Sequence, residues 1–227
     1  MKKIFVFALM AMFTLATQAQ IVSSRSTSVT REKVESNNWS YIYLQYNPGV
    51  FSPKNGSSKS YDALSTGWNI NFALSRNIPL YLETGVGVQW STYKETETIY
   101  QRVGSINIYR EVDAKFNMLS VKVPIGVGYA FNIPNAPISI IPNAGLDLRF
   151  NALAQMDVDG HTTNLLSSSD MGSSDATWNV FQLGGHVGVN ARFWKKLLVG
   201  FSYQMDFSEI AKDCHVYQGN LTVGYCF

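Results

Sequence analysis

From Trp39 to the C-terminus the chain alternates between two kinds of residue with a period of two, and the two sets are chemically unlike. In the segment 197–208 one face reads Leu197, Val199, Phe201, Tyr203, Met205 and Phe207. The other reads Leu198, Gly200, Ser202, Gln204, Asp206 and Ser208. Side chains point to opposite faces at successive strand positions, so this is a β-strand with one greasy face and one polar face. The last segment repeats it, with Tyr217, Leu221, Val223, Tyr225 and Phe227 against Gln218, Asn220, Thr222 and Gly224.

Upstream, the same split predicts strands around Gly67–Ser75, Leu80–Ser91, Leu119–Phe131, Ile138–Asn151 and Phe181–Phe193. Trp39–Tyr46 supplies a weaker first strand whose facing the pattern leaves open. These eight segments are joined by two kinds of connection. Arg76–Pro79, Asn132–Pro137 and Trp194–Lys196 are short and carry turn residues. Asn47–Thr66, Ser91–Met118, Ala152–Thr177 and Glu209–Val216 are long and polar and are expected to be loops. Pro124 and Pro142 fall inside predicted strands and call for a bulge or a strand end, because proline removes a ladder hydrogen bond.

Alternation alone does not say which face is inside. The polar face is built from Gly, Asn, Ser, Gln and Thr rather than the Lys and Glu of a solvated strand face. Charged residues are only 15% of the chain, against about 25% in soluble proteins. The apolar face is bulky and aromatic throughout, too large for a narrow interior. Both facts are met if the greasy face meets hydrocarbon and the small polar face packs around an axis. The aromatics agree: Tyr129, Phe131, Phe193, Trp194, Tyr225 and Phe227 fall near the short turns, and Trp90, Phe116, Phe150, Trp178, Phe207 and Tyr217 near the long connections. Two such belts suit the two interfaces of a bilayer. The expected fold is therefore all-β, an eight-stranded antiparallel up-and-down transmembrane β-barrel.

The N-terminus fits export. Lys2 and Lys3 precede an apolar run from Ile4 to Leu15, and Thr17 and Ala19 offer a small-residue cleavage site. A run of about 12 residues spans only roughly 18 Å as a helix, short of a ~30 Å hydrocarbon core. Residues 1–19 are thus expected to be a signal peptide, 20–38 a flexible leader and 39–227 the barrel. Lys2 and Lys3 account for the whole formal excess of +2, so nothing in the charge suggests a nucleic-acid partner. Cys214 and Cys226 would lie roughly 40 Å apart on one strand at ~3.4 Å per residue, too far for a bridge.

Six charged residues fall on the polar face: Glu83, Lys122, Asp147, Arg149, Arg192 and Asp206, with His186 beside them. Three acids and three bases in a poorly hydrated space are expected to pair, since isolated burial costs several kcal/mol. Such a network could serve as a gate; an interior of this size is wide enough only for side chains to fill it, which favours a plug. For catalysis, His161 with Ser167, Ser168, Ser169 and Asp159 nearby, or Cys214 beside His215, are the residues to consider, but no spacing demands a triad. No cofactor motif and no convincing set of metal ligands is present. Asn220-Leu221-Thr222 matches a glycosylation acceptor pattern yet lies within a predicted spanning strand.

These patterns together resemble the small outer-membrane barrels of the OmpA/OmpX type, in the broad porin family of outer-membrane β-barrel domains, over about Trp39–Phe227. The most specific element is the final strand ending Tyr225-Cys226-Phe227, which is similar to the signal read by barrel-assembly machinery. The resemblance implies an outer-membrane location with both termini in the periplasm, and contact with outer-membrane lipid and lipopolysaccharide. It also implies an extracellular ligand at the loops; small channels and lipid A-modifying enzymes are the other roles known for such barrels.

Overall fold

A computed structural model describes residues 38–54, 56–75, 77–103, 106–171 and 177–227. The expected signal peptide, and the leader as far as residue 37, lie outside the described residues. The chain forms strands β1 (Trp39–Tyr46), β2 (Gly49–Pro53), β3 (Lys59–Ala73), β4 (Leu80–Val103), β5 (Ile106–Tyr129), β6 (Phe131–Asn132), β7 (Ile138–Val158) and β8 (His161–Asn164). A single helical turn, α1 (Ser168–Met171), precedes β9 (Phe181–Phe193), β10 (Leu197–Asp206) and β11 (Cys214–Cys226). All pairings are antiparallel, in the order β1-β11-β10-β9-β7-β5-β4-β3-β2. β1 is paired along both edges, to β11 through Tyr41–Cys226 and to β3 through Trp39–Asn71.

The two faces separate as the alternation requires. Phe201 and Val223 are 53% and 54% exposed, whereas Asn220 and Arg149 are 3% and 1% exposed. Among the described residues nothing covers the outer apolar band, while the polar face is buried. A sheet that exposes Leu, Val and Phe and buries Asn, Gln and Arg is built for a solvent less polar than water. The first strand, unassigned by pattern, turns Tyr41 inward and leaves Ile42 and Leu44 exposed.

Two of the connections expected to be long loops, 47–66 and 91–118, are largely strand, and 152–177 is partly so. β4 and β5 stay paired from Leu80–Tyr129 to Val103–Ile106, well past the apolar band. β3 begins at Lys59, and β7 runs on to Val158 and folds back as β8 through Asp159 and Gly160, at φ 51° and 81°. An Asp-Gly pair with both φ positive is the favoured two-residue hairpin turn. In the β5 extension the greasy-polar contrast is inverted rather than lost: Val112, Ala114 and Phe116 are buried while Glu111, Asp113 and Lys115 are exposed, because beyond the lipid the outer face meets water. The backbone hydrogen bonds of these extensions do not depend on that contrast, and the Thr and Tyr of 92–100 retain β-propensity.

Neither proline ends its own strand. At Pro124 the β4–β5 ladder lapses between Thr84–Ile125 and Gly87–Lys122, then resumes in the same register. Opposite Pro142, β5 stops after Gly128–Asn143 and resumes as β6 at Phe131–Ile140. The β-bulge lies elsewhere, where Leu119 pairs with Leu153 but Ser120 pairs with Asn151, leaving Ala152 as the extra residue. Its effect is to reverse the facing of β7 above that point. Arg149 and Asn151 point inward below it, and Ala154 is buried above it, with Met156 packed on the same cluster.

Candidate functional site

The inward residues form three layers along the axis. At the short-turn end, Tyr41, Tyr81, Ala130, Ile141, Leu198 and Cys226 are buried, with Trp39 stacked on Tyr41 at 5.5 Å. At the opposite end a second apolar cluster joins Phe51, Tyr61, Phe116, Met118, Leu165, Ile210 and Val216. Phe51 and Trp178 pack 5.4 Å apart there, and Phe116 and Trp178 5.0 Å apart. Phe116 and Trp178 therefore do not belong to an outer aromatic belt: they close the inside. Phe116 shares its facing with Ser120 and Lys122, so carrying the alternation of that strand two steps back would have placed it inward. Trp90, Phe150 and Phe207 are exposed as the belt reading requires, as are Phe131, Trp194, Tyr225 and Phe227 at the other end.

Between the apolar layers lies a polar one. The guanidinium of Arg149 donates to Asp206 Oδ2 at 2.9 Å and to Gln218 Oε1 at 3.3 Å. Lys122 donates to Gln204 Oε1 at 2.8 Å, and the Gln204 amide donates to Asp206 Oδ1 at 3.2 Å. Gln218 donates on to Asn220, whose Oδ1 also accepts from Asn47 at 2.7 Å. A continuous chain of hydrogen bonds thus links β5, β10, β7 and β11 to Asn47 in the turn between β1 and β2. On the facing side, Glu83 Oε1 accepts from Tyr41 at 2.9 Å and from Asn69 at 2.7 Å. His186 Nδ1 lies 2.9 Å from Asp147 Oδ2. A cavity of about 70 Å³ remains between these groups, room for a few waters.

The seven residues singled out in sequence are all on this inward face, with different partners. Arg149 pairs with Asp206 and His186 with Asp147. Lys122 and Glu83 are held by neutral amides and a phenol. Arg192 forms no ion pair among the described residues; its guanidinium lies 4.4 Å from the centre of the Trp39 ring. Sequence reasoning missed Tyr41 and Asn47, and their parity with Trp39, Tyr43 and Gln45 was the available signal. Asn220 of the glycosylation-like triplet is buried in this layer.

The candidate catalytic groups are not assembled. Asp159 is tied to Arg110 at 2.9 Å and Ser167 to Ser169 at 2.7 Å. His161 makes no side-chain hydrogen bond among the described residues. Cys214 and Cys226 are free thiols at opposite ends of β11. Among the described residues no group of three or more His, Cys, Asp or Glu side chains is placed to hold a metal.

The family model described as "Outer membrane protein beta-barrel domain" matches residues 5–227. The attachment invasion locus protein Ail of Yersinia pestis is structurally similar at 14% identity and a TM-score of 0.41, over 84% of this chain and 99% of Ail. Neisserial surface protein A is similar at 16% identity and a TM-score of 0.45, over 82% of this chain and 95% of that one. The outer membrane enzyme PagL gives 12% identity and a TM-score of 0.38, over 79% of this chain and 97% of PagL. No curated protein matches the sequence.

Proposed function

This chain belongs to the outer-membrane β-barrel domain family, a bacterial outer-membrane family, and on that premise we propose that it is a non-enzymatic barrel with a plugged interior, presenting its long hairpins outside the cell. The observation that carries the reading is the stacking of the three inward layers. A polar layer with a cavity of only about 70 Å³ is bounded at both ends by buried aromatic clusters. A hydrated ion crossing it would have to shed water and break charge-assisted hydrogen bonds, each worth about 1.5–3 kcal/mol.

In this reading Glu83, Lys122, Asp147, Arg149, Arg192, Asp206 and His186 are structural charges that fix the packing of the plug. Residues 1–19 direct export and both termini lie in the periplasm. Tyr225 and Phe227, exposed on the last strand, are the residues read by the barrel-assembly machinery. The outer band contacts lipid and, on the outer leaflet, lipopolysaccharide. The outer part of the β4–β5 hairpin, the longest pair of strands, then stands clear of the membrane as the surface for an extracellular ligand or for envelope support.

Planar-bilayer recording on the purified, folded protein tests this. The expected result is no unitary conductance above the bare membrane; well-resolved ion-selective steps would overturn the plug. Lipid A mass spectra are expected to be the same with and without the protein in the membrane, and a change in acyl content would overturn the non-enzymatic assignment.

A further inference from the structure

The short-turn end holds a charge that the rest of the interior does not neutralise. Arg192 is 9% exposed, and its Nε is buried without a hydrogen-bond acceptor. Its guanidinium lies 4.4 Å from the centre of the Trp39 ring. A guanidinium stacked on an aromatic face keeps all its N–H donors in its own plane, directed away from the ring and free for a ligand.

Two further donors share this layer. Trp39 Nε1 and Asn71 Nδ2 are both buried and unpartnered, and Trp39 and Asn71 are directly opposed in the β1–β3 register. The surroundings supply no base to answer them: Tyr41, Tyr81, Ala130, Ile141, Leu198 and Cys226 are uncharged. Glu83, across from Asn71 on β4, is held by Tyr41 and Asn69 and makes no ion pair with Arg192.

We propose that Arg192, Trp39 and Asn71 form a binding site for a carboxylate group entering from the short-turn end of the barrel. Three buried, unpartnered N–H donors, one of them on a cation, favour an oxyanion, although the unpartnered Oδ1 of Asn69 lies two residues along from Asn71 on the same strand. One guanidinium with no second cation in the layer among the described residues matches a single negative charge, and the planar N–H edge of arginine fits the two oxygens of a carboxylate. The oriented barrel of the proposed function places this mouth in the periplasm, where the ligand would be the carboxylate of a small metabolite or of a peptide. The binding chemistry itself does not depend on that orientation.

The test uses the full mature chain folded in zwitterionic detergent, with the Trp39 indole N–H followed by ¹⁵N–¹H NMR and identified by its loss in Trp39→Phe. Sodium acetate is titrated against sodium chloride at equal ionic strength, and sodium phosphate in a third series. Acetate is expected to shift the Trp39 indole resonance saturably, with chloride giving no such shift and phosphate a weaker one. Arg192→Gln should weaken the acetate response about tenfold or more, the loss of one charge-assisted hydrogen bond. Asn71→Leu should weaken it as well, so the result does not rest on one variant folding. Heat-modifiable gel mobility checks that each variant is folded. An acetate response equal to that of chloride, or one kept in both variants, would overturn the site. A stronger response to phosphate would overturn the carboxylate assignment.

Discussion

Arg149 and Asp206 meet at 2.9 Å inside the barrel, each with its side chain 1% exposed. Neither charge reaches water, so each depends on the other. Asp206→Ala removes one partner and leaves a buried cation, and is expected to lower unfolding free energy by about 3–5 kcal/mol. Replacing both, as Arg149→Met with Asp206→Leu, should cost clearly less than the single change. Urea unfolding in detergent micelles, read by tryptophan fluorescence, compares the two.

Phe201 is exposed midway along β10, between the two aromatic belts. If that face lies in hydrocarbon, Phe201→Arg should destabilise by about 2–4 kcal/mol in phosphocholine vesicles, the range for a cation near the bilayer midplane. The matching change on a water-facing strand would be nearly neutral. Reversible folding in vesicles measures the difference, and a change under 0.5 kcal/mol would contradict a lipid-facing band.

Two glycines separate close strand approach from mere small size. A Cβ on Gly145 would sit 2.5 Å from Gly126 Cα and 2.6 Å from Ile125 O, both backbone atoms that cannot rotate away. Gly145→Ala is expected to cost about 1–3 kcal/mol, as for overpacking in a filled core. A Cβ on Gly219 meets nothing within 4 Å, so Gly219→Ala should stay within about 0.5 kcal/mol of the parent. The same unfolding series reads both.

The two thiols should react differently. Cys214 is half-buried beyond the apolar band; burial pushes its thiol above the ordinary pKa, against an opposing hydrogen bond with the Ser52 backbone and with Glu209 adding a little in the same direction. The reactive thiolate is therefore scarcer at pH 7.5 than in a free cysteine. Iodoacetamide should label Cys214 slowly, at a rate that still climbs above the ordinary thiol range. Cys226 is 2% exposed and should be labelled only on unfolding. Mass spectrometry of tryptic peptides across a pH series checks both.

Phe116 anchors the apolar cluster at the hairpin end and is fully buried. Phe116→Ala is expected to cost about 3–5 kcal/mol through lost burial and an unfilled cavity. If Phe116 lay in an outer belt, the same change would be mild.

Strand existence and facing were legible because lipid imposes a strict two-residue period: Leu197–Asp206 reads the same in sequence and in space. The hairpin extensions were not. Beyond the lipid the apolar face turns inward, as at Val112, Ala114 and Phe116, so a pattern that expects greasy residues outside does not find it. Phe116 was misplaced because its size and its position near a strand end suited an interface, while its parity with Ser120 had already put it inside. The bulge at Ala152 left no mark either, since a one-residue insertion changes facing without changing composition.

By itself the sequence determined that bulky apolar and small polar residues occupy opposite faces of antiparallel strands, because side-chain direction along a strand alternates locally. Only the tertiary structure decided which charges meet. Arg149 with Asp206 and Arg192 over Trp39 join strands that are not hydrogen-bonded neighbours, while His186 meets Asp147 on the adjacent strand. Pairing across the interior depends on register and on the reach of each side chain over a narrow gap, and no local pattern encodes either.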